Sequence, residues 1–370
     1  MQNLSVFFPL WIPNVISMAK TKILTSESEK SALSLLDREL KKKAFAGARY
    51  FILTDEKVSE SCLSLLVSEV EPLQESEFFE VESGEQCKDI SVVQNLWLSL
   101  LESSADRNAV IVNLGGGSVC DLGGFVAATY KRGIRHVNVP TTLLAMCDAS
   151  IGGKTAVNFA GIKNTVGCFY SPVAVCIEPA FLDTLPEKDF LSGFFEMLKT
   201  AMLTDAAKYG KLLRQLQDGS LQISGDDIKF CALAKQGIAD RDFTDRGVRR
   251  ILNFGHTFGH AIESFSMSHG GNPLSHGQAV ALGMLCEARL SVERLGFPES
   301  EYSDLSSALK KAVCVPEYSS DDIRELISYM YADKKNSGGK IKCVLMSSVA
   351  NPQADVEISE KEIEKIFTDF

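Results

Sequence analysis

The sequence predicts an α/β protein in two parts, a mostly parallel sheet flanked by helices over residues 1–185 and a mainly α-helical region over 186–370. Three observations carry this. Short apolar runs alternate with helical patterns through the first half. One such run, Ala109-Val-Ile-Val-Asn-Leu114, leads straight into Gly115-Gly116-Gly117. From Glu187 onward amphipathic helical spacing takes over, with Pro186 near the junction, so the cleft between the two parts is the expected active site.

In chain order, leucines at 33, 35, 36 and 40 give a helix within Ser26 to Lys43, and Arg49 to Thr54 reads as a strand ending at Asp55. Cys62 to Val70 is helical, Phe78 to Val81 strand-like, Val92 to Leu101 helical and Val110 to Leu114 a strand. Ligands of such sheets sit beyond the carboxyl ends of the strands. Asp55, the Ser83-Gly84-Glu85 turn and the glycine run each follow a strand, so three loops can reach one bound molecule. In the second half the helices are Phe190 to Leu203, Ile228 to Ala239, His256 to Phe265, Ala279 to Leu295 and Ile323 to Tyr331, and only Ile341 to Ser347 looks like a strand.

Composition bounds the function. At 370 residues and 45% hydrophobic content the chain suits two domains. A net charge of −10 argues against nucleic-acid or membrane-surface partners, and any anionic ligand must meet a local cluster of cations. Ten scattered cysteines without a CxxC pair read as free thiols in a reducing, cytoplasmic compartment. Val6 to Met18 is apolar but broken by Pro9 and Pro13, too short to span a bilayer, and reads as a strand-like element or an extension before Met18.

The glycine run fits neither the usual dinucleotide fingerprint nor the Walker lysine motif, so on spacing alone it is either a phosphate cradle or a tight structural turn. Its continuation favours the cradle: Thr141 and Thr142, Asp148, Gly152-Gly153-Lys154 and Lys163-Asn164 crowd hydroxyl, cationic and small residues into one stretch. Of five histidines, four lie between 256 and 276. His256 and His260 stand four apart on a predicted helix and share a face, so spacing alone makes both of them metal ligands.

These pieces, together with Glu196 and Lys199, the string Asn253-Phe-Gly-His-Thr-Phe-Gly-His-Ala-Ile-Glu263 and Leu274-Ser-His-Gly277, resemble the 3-dehydroquinate synthases among the sugar-phosphate cyclases, from about Ile52 to about Leu345. The resemblance implies a Rossmann-like NAD-binding domain and a helical domain holding Zn²⁺, with Co²⁺ able to substitute. It implies a homodimer acting on an anionic sugar phosphate, 3-deoxy-D-arabino-heptulosonate 7-phosphate, and releasing 3-dehydroquinate and phosphate.

Residue by residue, the resemblance assigns NAD to Asp55, Ser83, Gly84, Glu85, Lys88, Gly116, Gly117, Ser118, Asp121, Thr141, Thr142, Lys154, Lys163, Phe181, Leu182 and Thr184. Glu85 by itself reads as a solvated loop carboxylate. Metal goes to Glu196, His256 and His276, with His260 facing the substrate and His269 left on a solvated loop. Two nitrogens and one carboxylate leave coordination positions open, the mark of a catalytic zinc.

Lys154, Lys199, Lys235, Arg249, Asn164, Asp148, Arg132 and the Asp333-Lys334-Lys335 triplet, Lys335 among them, match positions lining the substrate site. Each lysine alone would be a surface group. Gathered in one cleft of an acidic chain, they suit a ligand with several negative charges. His260 and Asp245 are the expected proton carriers.

Five positions depart from the family's usual pattern: Asp245 for a common glutamate, Gln278 where a glutamate often follows His276-Gly277, Phe195 for a small residue, and Cys87 within the cofactor loop and Lys57 after Asp55, where polar, uncharged neighbours are common. The competing readings are another sugar-phosphate cyclase, a polyol dehydrogenase of related architecture, and a non-catalytic sensor of NAD and zinc.

Overall fold

The computed structural model describes residues 20–26, 30–332 and 339–369. The segment before Met18 and the Asp333-Lys334-Lys335 triplet therefore lie outside the described residues.

The first half holds a six-stranded parallel sheet in the order β1-β8-β5-β4-β2-β3. Its strands are β1 (Lys22–Thr25), β2 (Tyr50–Asp55), β3 (Glu77–Val81), β4 (Val110–Gly115), β5 (Arg135–Pro140) and β8 (Ala174–Ile177). Register is continuous across the centre: Val112 pairs with Ile52 on one side and Val137 on the other. β4 and β8 are buried at every position, which is why they read as unbroken apolar runs.

Helices α1 (Ala32–Leu40), α2 (Ser64–Glu69), α3 (Ile90–Glu102) and α4 (Gly117–Thr129) connect and cover the sheet. α1 and α3 begin with capping side chains, Ser31 accepting from Ser34 N and Asp89 from Ser91 N. α4 starts with Gly116 as its cap residue, leaving its first amides without a side-chain acceptor.

An antiparallel hairpin, β6 (Lys154–Phe159) and β7 (Ile162–Phe169), interrupts the alternation and packs over α4. Sequence pattern gave no strand there, because β7 carries no buried residue and so lacks an apolar rhythm.

The second half is helical: α5 (Glu187–Thr204), α6 (Ala206–Asp218), α7 (Gly225–Arg241), α8 (His256–Ser268), α9 (His276–Leu295), α10 (Glu299–Ala312), α11 (Ser320–Ala332) and α12 (Glu360–Thr368). The expectation of a single strand here needs correcting. β9 (Ile341–Ser348) pairs antiparallel with β10 (Asn351–Ile358), whose register shifts after Asn351 and between Gln353 and Val356. Pro352 and these irregularities hide the alternation of β10.

One apolar core runs without a break from Val112 and Val139 of the sheet, through Phe194 and Phe195 of α5, to Ala281 and Leu285 of α9. Phe195, unusual beside the proposed ligand Glu196, is fully buried and packs edge-on against Phe194 at 6.2 Å. A smaller core under α3 and α4 closes the other face of the sheet. All ten cysteines are free, eight of them buried. No helix among the described residues is long and apolar enough to cross a membrane.

Candidate active site

The parallel sheet sends its carboxyl ends to one edge, and the predicted cofactor residues gather there. Asp55 ends β2 and caps the next helix, its Oδ1 accepting from Lys57 N, Val58 N and, at 2.7 Å, from Ser83 Oγ. Gly84 follows β3 with φ +95°. Gly116 and Gly117 lead from β4 into α4, where a Cβ on Gly117 would lie 2.9 Å from that of Ala149.

Thr141 follows β5, and its buried Oγ1 has no hydrogen-bond partner among the described residues. Thr142 Oγ1 accepts from Ala145 N. Phe181, Leu182 and Thr184 form the turn after β8, Phe181 buried and Thr184 Oγ1 donating to its carbonyl. A glycine cradle, open helix amides and an orphaned hydroxyl at one edge fit a dinucleotide.

Glu85 is no loose loop carboxylate: Oε2 accepts from Ser118 Oγ at 3.1 Å and Oε1 from Asn158 Nδ2 at 3.0 Å. Lys88, almost fully buried, bridges Asp121 Oδ2 at 2.8 Å and Asn164 Oδ1. Burial would lower the Lys88 ammonium, but Asp121 and Glu85 outweigh it and hold its pKa above the ordinary value. Asn164 was expected beside the substrate with Lys154, yet it is bonded to the cofactor-side Lys88, on a left-handed residue of the hairpin (φ +52°).

Among the described residues, donor atoms of Glu196, His256 and His276 lie within 4.8 Å of one another. Glu196 comes from the middle of α5, His256 and His276 from the first residues of α8 and α9. Glu196 Oε1 is buried, 3.6 Å from His256 Nε2 and 3.5 Å from His276 Nε2, separations too long for good hydrogen bonds and suited to donors converging on a cation. Both Nδ1 atoms face acceptors, Phe254 O at 3.2 Å and Glu263 Oε2 at 3.0 Å, which leaves each Nε2 lone pair for a metal.

Although burial disfavours a charged His276, Glu196 and Glu263 raise its pKa to about 10. The pair of carboxylates thus favours positive charge on this ring, which a bound cation supplies as well as a proton does. His260, which spacing alone made a ligand, is outside the trio; its ring stands 5.3 Å from that of His256 and 6.0 Å from that of His276. The donors fit a catalytic zinc.

Buried cations surround this trio. Lys199, one turn after Glu196, places Nζ 2.5 Å from Oε2. Lys235 bonds both Asp148 Oδ2 and the Asp148 carbonyl at 2.7 Å. Asp148 lies in a widened helical turn, Ala145–Ala149; burial would raise its carboxyl, but Lys235 and Lys199 hold it well below the usual range. Burial pushes the Lys235 ammonium down, against Asp148.

Arg249 is 2% exposed, with Nη1 donating to Gly152 O at 2.8 Å and Phe243 O at 2.9 Å. Lys154 pairs with Asp245, whose own Oδ1 is buried without a hydrogen-bond partner among the described residues and whose φ is +56°. Lys163 reaches the other way, pairing with Glu263 at 3.2 Å.

Segments 78–192 and 193–336 match the family models for the 3-dehydroquinate synthase N-terminal and C-terminal regions. The chain belongs to the 3-dehydroquinate synthase family. The 3-dehydroquinate synthase of Parabacteroides distasonis is 35% identical over 347 residues, 94% of this chain and 96% of that one.

Solved cyclases share the fold. A crystal structure of 2-deoxy-scyllo-inosose synthase with carbaglucose-6-phosphate, NAD⁺ and Co²⁺ superposes with TM-score 0.81 at 24% identity, covering 94% of this chain and 96% of that chain. ValA, a 2-epi-5-epi-valiolone synthase from Streptomyces hygroscopicus subsp. jinggangensis 5008 with NAD⁺ and Zn²⁺ bound, gives 0.76 at 23%, covering 89% and 94%.

Arg132 is the one described position the structure keeps away from the site. It follows α4 at the opposite, amino-terminal edge of the sheet, exposed and left-handed (φ +69°), a strand's length from the glycine loop. Two residues escaped the sequence reading. Glu263 holds His276, and its signal was its place seven residues after His256 on the same helical face. Glu287, fully buried, accepts from Gly255 N at 2.8 Å and Thr257 N at 3.2 Å and so fixes the start of α8; nothing in its apolar surroundings announced it. Gln278, read as a lost charge near the metal, completes the capping box of α9 with Ser275.

Proposed function

We infer that the protein is a 3-dehydroquinate synthase, a carbon-oxygen lyase that converts 3-deoxy-D-arabino-heptulosonate 7-phosphate to 3-dehydroquinate and phosphate with NAD and zinc. The observation that carries this reading is the convergence of Glu196, His256 and His276 beside three buried cations, Lys199, Lys235 and Arg249.

When bound, zinc would supply a Lewis acid for substrate hydroxyls and NAD a temporary hydride acceptor, the chemistry that a reversible oxidation at C5 requires. The chain's own groups bind and orient. Arg249 offers a planar fork for the carboxylate, with Lys235 as its companion charge. Two backbone carbonyls hold the guanidinium in place, so its orientation is set before the ligand arrives. Lys154 meets the phosphate end.

His260, beside the ligand rings but not among them, is placed to move a proton at a substrate hydroxyl. Asp245 holds Lys154 through one oxygen, and its other oxygen is buried with no hydrogen-bond partner among the described residues. Its shorter arm compared with glutamate is accommodated by a left-handed backbone. Phosphate elimination, ring opening and aldol closure then follow in a cleft that fixes substrate conformation.

The competing dehydrogenase reading gives the buried Arg249 no ligand to meet, since a neutral polyol offers no anion for a guanidinium whose described contacts are backbone carbonyls. Purified protein supplied with the heptulosonate phosphate, NAD and Zn²⁺ is expected to release inorganic phosphate. Failure to do so, with turnover of a carboxylate-free sugar phosphate instead, transfers the chain to a sister activity. The same reading has the enzyme act as a cytoplasmic homodimer, which sedimentation of the purified protein tests for the oligomer.

A further inference from the structure

The hairpin β6–β7 makes two sets of contacts that point in opposite directions. Toward the glycine loop, Asn164 accepts from Lys88, which pairs with Asp121 of α4 at 2.8 Å, and Asn158 donates to Glu85, itself bonded to Ser118. Asn158 also accepts from Asn164 N at 2.9 Å, so these anchors belong to one rigid turn. Toward the helical half, the neighbouring Lys163 places Nζ 3.2 Å from Glu263 Oε1. Glu263 uses its other oxygen, Oε2, on His276 Nδ1 at 3.0 Å.

We propose that Glu263 is a positioning residue for the metal ligand His276, and that through Lys163 it couples the metal centre to the dinucleotide loop. The proposal rests on the zinc and NAD assignments above.

A carboxylate can only accept, so Glu263 fixes the proton on Nδ1, turns the Nε2 lone pair toward Glu196 and His256, and makes the ring a stronger donor. Lys163 is half exposed, so its charge is screened and acts mainly by holding the Glu263 rotamer. A dinucleotide that orders the glycine loop also orders the hairpin anchored to it. Lys163 is then held on Glu263, and zinc binds a site whose geometry is already fixed. Linkage is reciprocal, so zinc must tighten NAD by the same factor.

The test measures zinc affinity by competition with a chromogenic chelator, with and without saturating NAD, on wild type, Glu263→Gln, Lys163→Met and Lys163→Arg. Thermal melts of each metal-free protein confirm folding. Wild type is expected to bind zinc at least about threefold tighter with NAD. Glu263→Gln should weaken zinc roughly 10–100-fold with or without NAD. Lys163→Met should keep its NAD-free zinc affinity within about threefold of wild type yet lose the NAD enhancement, and Lys163→Arg should restore it.

Folded Glu263→Gln with wild-type zinc affinity overturns the positioning role. An NAD enhancement that survives Lys163→Met overturns the coupling. Wild type that binds neither zinc nor NAD overturns the assignment of the site itself, and the coupling with it.

Discussion

Arg249 and Gly152 are fitted to one another: the guanidinium donates to the glycine carbonyl at 2.8 Å, and a Cβ on Gly152 would meet its Nη2 at 2.5 Å. Gly152 also has φ +91°, a conformation that other residues rarely adopt. Arg249→Leu is therefore expected to leave NAD and zinc bound while removing a charge-assisted contact worth roughly 1.5–3 kcal/mol, or about one to two orders of magnitude in kcat/KM. Steady-state phosphate release together with zinc content checks it. Wild-type turnover of sedoheptulose 7-phosphate equal to that of the keto acid would refute the carboxylate pocket.

Metal removal should be decisive for activity. A strong chelator is expected to abolish phosphate release and added Zn²⁺ or Co²⁺ to restore it, while Glu196→Ala and His256→Ala lose bound metal by elemental analysis. Full activity of a metal-free preparation would contradict the assignment.

NAD is expected to act catalytically. Phosphate should accumulate over many turnovers with no matching rise in absorbance at the reduced-nicotinamide band. Stoichiometric NADH from a simple polyol would instead establish a dehydrogenase.

Helix α9 packs on α8 through Gly283, where a Cβ would lie 1.9 Å from Gly255 O and 2.7 Å from Gly259 N. Backbone atoms cannot swing aside, so Gly283→Ala should force the helices apart at a cost of about 1–3 kcal/mol or more. Thermal denaturation would register the loss, and because Gly255 immediately precedes His256, zinc affinity should fall with it.

His136 sets an acid limit. It is buried, stacked on Tyr170 at 5.4 Å, and neither ring nitrogen has a hydrogen-bond partner among the described residues. Burial lowers its pKa from 6.5 to about 3. Between those values the unfolded imidazole binds a proton that the folded one refuses, so this contribution is complete above about pH 6.5 and is lost as pH falls toward 3. The loss is at most about 1.4 kcal/mol per pH unit. His136→Phe keeps the stacking and should flatten the acid limb of stability relative to wild type, read from melts at pH 7 and pH 4.5. Parallel curves would discount this residue.

Much of this architecture was legible in the residues because burial leaves a rhythm. The strands buried on both faces and the long amphipathic helices announce themselves, as does a strand that runs into glycines. What stayed hidden is polar or paired through space. β7 is exposed at every position but Cys168, and β10 is broken by Pro352 and register shifts. At the metal site, helical spacing favoured His256 with His260, and the choice of His276 depends on the first turn of another helix meeting α8, a contact that no local period encodes. Within one chain Arg132 lies apart from the site for the converse reason: closeness in sequence to the glycine loop says little when a helix lies between, carrying it to the far edge of the sheet.

Glu287 bears on how the enzyme acquires its ion. It neutralises the open amides that precede and begin α8, so His256 is held by a buried carboxylate on a neighbouring helix. His276 is likewise tethered by Glu263, and Glu196 sits in the middle of a helix within the main core. None of the three relies on the ion for its place. Zinc is therefore expected to bind a scaffold that is already folded and that dinucleotide binding tightens further, in contrast to structural zinc modules that collapse on chelation. The polypeptide can be assembled first and charged later.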